Sequence, residues 1–134
     1  MHLEQRDVGS FRFLLDLSQP IYEQIVQQLS GAIARGDLDL GAKIPSVREL
    51  AQGLRAAPNT VVHAYQELER EGLIETRRGQ GTFVTTSATV IHEFRAKLAQ
   101  TLLNQFLQQM ERLGFSPDDV RHLLREYPKE GDRT

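Results

Sequence analysis

The chain has 134 residues, a formal net charge of −2, 40% hydrophobic and 25% charged residues, ten Gly, five Pro and no Cys. That length suits one small domain with an appendage, not a large two-domain enzyme, and the composition excludes collagenous, disordered and membrane-spanning classes. Without cysteine there is no disulfide framework, thiolate zinc site or thiol nucleophile, in keeping with a cytoplasmic protein, and the slightly acidic balance makes any nucleic-acid reading depend on where the cations sit.

The opening MHLEQRDVGS carries Glu4 and Asp7 and has no apolar run behind a basic start, so it does not read as a secretory signal. It is taken as a polar tail, followed by a short apolar stretch from Phe11 to Leu17. Ile21, Ile25, Leu29 and Ile33 then recur every fourth residue behind Pro20 and predict a first helix that Gly36 stops. Lys43-Ile44-Pro45 reads as an extended connection, because the residue before Pro avoids the helical region. Ser46 and Glu49 form a capping-box signature for a second helix that runs to about Leu54.

After a short break at residues 53–57, Pro58 opens a third helix that runs roughly to Glu71, with Val61, Ala64, Tyr65 and Leu68 as its apolar stripe. Leu73–Thr76 and Thr82–Thr86 are short β-prone runs on either side of Arg77-Arg78-Gly79-Gln80-Gly81, a two-stranded ribbon with a basic, glycine-bearing tip. Helical periodicity returns from Val90 to Leu113, and Gly114 and Ser116-Pro117-Asp118-Asp119 separate that long helix from a shorter one carrying Val120, Leu123, Leu124 and Tyr127. The fold class expected is therefore mainly α with a small two-stranded β-wing: a winged helix-turn-helix over residues 10–86 and a short two-helix appendage over residues 87–130.

In such a fold the third helix presents its first residues to base edges in the major groove, here Pro58, Asn59 and Thr60, with Val62 and His63 one turn on. Asn pairs bidentately with adenine, and Thr reaches a base or a phosphate. The start of the second helix offers amides, Ser46 and Arg48 to a phosphate. The ribbon tip supplies Arg77 and Arg78, the side chain best suited to a narrow minor groove. Taken singly, each of these residues is an ordinary cap, turn or solvated charge; their spacing is what raises them to a site. Between Lys43 and Thr82 six bases face five acids. Most of those acids close the far end of the third helix, which is expected to leave Arg48, Arg77, Arg78 and His63 with no nearby acid except Glu49.

The stretch Pro20–Val84, through the blocks PSVRELA, PNTV-x-x-AYQELE-x-EGLIE and RRG-x-GTFV, resembles the N-terminal winged helix of GntR-family bacterial transcription regulators. The two-helix tail is similar to that of the YtrA-type subfamily. The resemblance implies a DNA-binding repressor, often of operons for ABC-type transporters, with phosphate or groove contacts from Ser46 and Arg48. It implies a recognition helix opened by Pro58, Asn59 and Thr60 and continued by Val62 and His63. Its wing tip would be Arg78 and Gly79, flanked by Arg77, Gln80 and Thr82. His63 stands where Arg or Lys is frequent in such sequences, Leu40 where Pro is usual, and Arg55-Ala56-Ala57 replaces a turn that usually contains Gly.

The long helix carries Ile91, Phe94, Leu98, Leu102, Phe106 and Met110 on one face, widened by Leu103 and Leu107, and the last helix adds Leu123 and Leu124. This is more apolar surface than a small domain covers, so a homodimer is expected, with a pseudo-palindromic operator on double-stranded DNA. No cofactor or metal is expected, since His2, His63, His92 and His122 are scattered without ligand spacing, and no phosphate loop or paired nucleophile and base suggests an enzyme. A small-molecule effector is not evident, and a seat for one at the dimer seam stays open. The alternative is a winged-helix module that docks a protein partner and never meets DNA.

Overall fold

The computed structural model describes residues 3–128. Its elements run β1 (Leu3–Val8), β2 (Phe11–Asp16), α1 (Ile21–Arg35), β3 (Lys43–Ile44), α2 (Val47–Leu54), α3 (Pro58–Arg70), β4 (Ile74–Arg77), β5 (Gly81–Val84), α4 (Ala88–Arg112) and α5 (Pro117–Glu126). The chain forms two compact units, the first running to Arg95 and the second starting at Ala96. His2, in the opening segment, lies outside the described residues.

The first unit opens with an antiparallel hairpin, β1–β2, in which Val8 faces Phe11 and Leu3 faces Asp16. In sequence this segment shows only a polar tail and an apolar stretch. Phe13 and Leu15 alternate with solvent-facing Arg12 and Leu14 and sink fully into the core, while β1 contributes only Val8 to it and otherwise carries polar residues and the exposed Leu3. The outer edge of β2 is covered by side chains of α1. Gln24 accepts from the Asp16 amide at 2.7 Å and donates to the Asp16 carbonyl at 2.9 Å. One turn later Gln28 repeats the pattern on Leu14, at 2.9 and 2.6 Å. A spacing of four residues puts both amides on one helix face, so α1 meets the strand as a second strand would.

Helix α1 buries Ile25, Leu29 and Ile33 at the spacing read from the sequence, and Gly36 ends it in the left-handed region. Helix α2 starts with the foreseen capping box: the Ser46 hydroxyl accepts from the Glu49 amide at 3.1 Å and the Glu49 carboxylate accepts from the Ser46 amide at 3.2 Å. Helix α3 has Pro58 in its first turn and an Ala57 cap that offers no side-chain bond. Between the two helices Arg55 takes φ +54°, the conformation usually reserved for glycine, which costs about 1 kcal/mol for a residue with a Cβ. The turn thus keeps the geometry of a Gly-containing one without the glycine.

The wing is a three-stranded sheet in the order β3–β5–β4, so the two-stranded ribbon gains a short strand from the connection before α2. Ile44 pairs with Thr82 and Lys43 with Phe83. Side chains from both sheets and from α1, α2 and α3 share one core that includes Phe13, Leu15, Ile25, Leu50, Val61 and Val84. Each such side chain contributes roughly 1.5–3 kcal/mol on leaving water. Ile91 and Phe94, at the start of α4, pack half-buried against the same core.

In the second unit α4 continues to Arg112, and the Phe115 amide closes the helix end on the Met110 carbonyl at 3.0 Å. Ser116 and Asp119 form a second capping box that starts α5, as the sequence suggested. Val120 is the buried apolar residue of this unit among those described. No helix among the described residues is long and apolar enough to cross a membrane.

Candidate nucleic-acid interface

Three pieces of the first unit converge on residues 43–46. Strand β3 ties this segment to the wing through the Ile44–Thr82 pair. Ser46 ends it as the cap of α2. Tyr65, in the middle of α3, donates its hydroxyl to the Pro45 carbonyl at 2.5 Å. Burial, and then the nearby Glu49 charge, pushes the Tyr65 phenol well above its ordinary pKa, so it stays a donor. The wing, the start of α2 and the body of α3 are therefore fixed to one another through four residues.

At the start of α2 the capping box uses the Ser46 amide and both Glu49 groups. The amides of Val47 and Arg48 remain for a ligand, at the positive end of the helix, with the exposed Arg48 beside them. Glu49 puts a negative charge at the same end, held below the usual carboxylate range by the Ser46 backbone and side-chain hydrogen bonds and also by the positive field of Lys43.

In sequence Lys43 is one cation among six, with nothing to mark it out. A side chain on Gly81 would place its Cβ 2.8 Å from the Lys43 Cε, so the lysine stem lies across the glycine that follows the wing tip. With its field reaching Glu49, this cation stands between wing and α2. No periodicity could have found it, because the β3–β5 pairing that places it joins residues about forty positions apart.

On α3, Pro58, Asn59 and His63 are exposed, and Thr60 and Val62 are half-buried. Thr60, His63, Gln66 and Arg70 lie along one groove with Tyr22 of α1, a face longer than the opening turn picked out from the sequence. Their spacing of three or four residues was legible; the meeting with Tyr22 was not. On the other side Arg48, Gln52, Ala56 and Pro58 border a shallow apolar depression between α2 and α3.

At the wing tip Arg78, Gly79 and Gln80 are exposed, and Arg78 makes no ion pair among the described residues. Arg77 corrects the expectation that it lacks an acid. Its guanidinium lies 2.7 Å from Glu75, two residues back on the same face of β4, and 4.3 Å from the centre of the Phe83 ring. Thr82 is buried, with its strand paired on both sides. The free charge of the wing tip is thus Arg78.

Of the residues assigned to a dimer face, Ile91 and Phe94 are engaged within the first unit, and Leu98, Leu107 and Met110 are half-buried. Leu102, Leu103, Phe106, Leu123 and Leu124 are exposed in the second unit. A cleft of about 260 Å³ between α4 and α5, lined by Asn104, Leu107, Glu111 and Val120 among others, is small for an effector site. Among the described residues no group of His, Asp or Glu is arranged to hold a metal ion.

Residues 21–84 match the family model "Bacterial regulatory proteins, gntR family". The chain is 40% identical over 114 residues to the uncharacterized HTH-type transcriptional regulator YhcF of Bacillus subtilis, covering 85% of this chain and 94% of that relative. It is 42% identical over 110 residues to the HTH-type transcriptional repressor YtrA of the same organism, covering 81% and 85%. A GntR family transcriptional regulator from Listeria monocytogenes has a similar structure, with a TM-score of 0.75 at 34% identity over 85% of this chain and all of that one.

Proposed function

The chain belongs to the GntR family of bacterial regulatory proteins, and from that premise we propose that it is a homodimeric repressor that binds a pseudo-palindromic operator in double-stranded DNA. The observation that carries this reading is the common anchorage of three contact elements on residues 43–46. The exposed start of α3 enters the major groove, where Asn59 and His63 meet base edges and Thr60 and Val62 support them. The start of α2, with Ser46 and Arg48, holds a backbone phosphate, and Arg78 at the wing tip reaches the neighbouring minor groove.

The exposed leucines and Phe106 of the second unit pair two copies, setting the recognition helices ~34 Å, one turn of the duplex, or a multiple of it apart. Occupied in this way, a promoter is closed to polymerase. YtrA of Bacillus subtilis is a repressor by name. Likeness to the YtrA type puts transporter operons first among the genes to examine, and the site of action in the cytoplasm.

Selection of duplexes from a randomised pool, followed by affinity measurements across salt, tests the reading. A palindromic consensus bound with a steep inverse salt dependence supports it. Binding of a protein partner with no duplex retained at any salt would replace it with the interaction-module reading.

A further inference from the structure

The β1–β2 hairpin lies outside every contact assigned above, yet it is built onto the turn that aims α3. Helix α2 ends at Leu54, and the three residues 55–57 carry the chain into α3. The Arg55 and Ala56 amides turn back onto Gln52 and Ala51 carbonyls, at 3.3 and 3.0 Å. The Leu54 carbonyl is taken by the Arg6 guanidinium of β1. A cation on the last carbonyls of a helix meets the negative end of the dipole with a charge-assisted hydrogen bond.

Arg6 is held there firmly. Its side chain is only 14% exposed, its second terminal nitrogen lies 3.3 Å from Glu4, and its Nε is buried without a hydrogen-bond partner. Burying that nitrogen is unfavourable in itself and is tolerated where the rest of the group is fixed. Two residues on, Val8 fills a notch over Gly53: a Cβ on that glycine would stand 2.3 Å from the Val8 Cγ2. A glycine one residue from a helix end and a left-handed Arg55 are both locally unfavourable, and both sit where the hairpin docks. The other edge of the hairpin is fastened to α1 by Gln24 and Gln28.

We propose that the β1–β2 hairpin is a brace that sets the angle between α2 and α3 through Arg6 and Val8, making Arg6 a positioning residue for operator recognition that does not touch the duplex. The proposal rests on the DNA-binding reading. A recognition helix tilted at its first turn loses base-edge contacts, which need exact geometry, before it loses phosphate contacts, which tolerate small shifts.

The test uses the full chain, the duplex that the wild type selects from a randomised pool, and a shuffled duplex of the same composition. Arg6→Ala is expected to weaken the selected duplex about tenfold with the shuffled one unchanged. Arg6→Lys, which keeps a donor cation, recovers most of that loss. Gly53→Ala is expected to reproduce the loss, and Val8→Ala in the same chain to relieve it by removing both Cγ atoms. Circular dichroism follows folding throughout, and the Gly53→Ala and Val8→Ala pair decides the matter if Arg6→Ala does not fold. A folded Arg6→Ala that keeps the wild-type preference overturns the brace, as does an equal loss on both duplexes or a double variant that recovers nothing. A wild type that selects no duplex sinks the DNA-binding reading and the brace with it, whereas selection by the wild type with an unaffected Arg6→Ala sinks the brace alone.

Discussion

The two units of this chain treat their apolar side chains in opposite ways. Among the described residues the first holds seventeen buried apolar residues in one core, drawn from both sheets and three helices. The second has Val120 alone, while Leu102 is 56% exposed and Leu124 59%. One unit closes its core within itself; the other presents the kind of surface that association covers. A short pair of helices cannot enclose a core of its own, because too much of its surface faces outward.

The sharpest way to break this contrast is to charge the open surface. On the proposed pairing, Leu102→Lys with Phe106→Lys is expected to give a monomer by light scattering and to weaken operator binding at least ~100-fold, since two linked half-site contacts would become one. The thermal transition of the first unit should persist. A variant that stayed dimeric and bound as before would remove the second unit from the assembly.

Next in size comes truncation within the closed core. Phe13→Ala is expected to lower stability to denaturant by roughly 3–5 kcal/mol, against about 0.5 kcal/mol or less for Leu113→Ala at the surface. Equal effects at the two positions would contradict the contrast. The same substitution tests the hairpin as part of the core.

The wing offers a finer comparison between neighbours. Arg78→Ala is expected to reduce affinity for every duplex and to make the logarithmic salt dependence shallower by about one unit. Arg77→Ala should do less, because Glu75 and Phe83 already hold its charge, and binding isotherms at several salt concentrations would rank the two. Asn59→Ala should instead narrow the gap between matched and mismatched operators, by about 1–3 kcal/mol at one base pair.

The smallest effect unites the two units, since each has one helix opened by a capping box. Hydrogen bonds from Ser46 and from Ser116 lower the pKa of Glu49 and of Asp119 in the folded state. Their contribution is therefore complete above the ordinary carboxylate range and is lost as pH falls through the lowered values. Helix content followed by circular dichroism should decline gently on acidification, and Glu49→Gln with Asp119→Asn should remove that part of the decline.

Much of the architecture was legible because local rules and tertiary contacts agree. The fourfold spacing from Ile21 to Ile33, the Ser46 and Ser116 caps, Pro58 at a helix start and the glycine-bearing wing all signal within a few residues of where they act. The N-terminal hairpin escaped because β1 has one core residue, Val8, and because Leu14 and Leu15 interrupt the alternation of β2. The third strand of the wing escaped because two residues carry no periodicity.

At the site, the residue types on α3 and at the wing tip were readable from spacing. Lys43, the Arg77–Glu75 pair and the burial of Thr82 depend on which strands lie side by side, and that is a tertiary fact. The apolar stripe of α4 reads as continuous because a helix of 25 residues has one period throughout, although its first two turns serve the winged unit.

The pair of glutamines on α1 bears on how copies of this protein meet. An unclaimed strand invites recruitment of further chains one after another, a process with no natural end. With Asp16 and Leu14 already satisfied from within, a further chain could extend that side of the hairpin only by displacing both glutamines, which disfavours growth into fibres there. The pairing of copies proposed above would then use the helical surface, where a twofold axis can stop it at two.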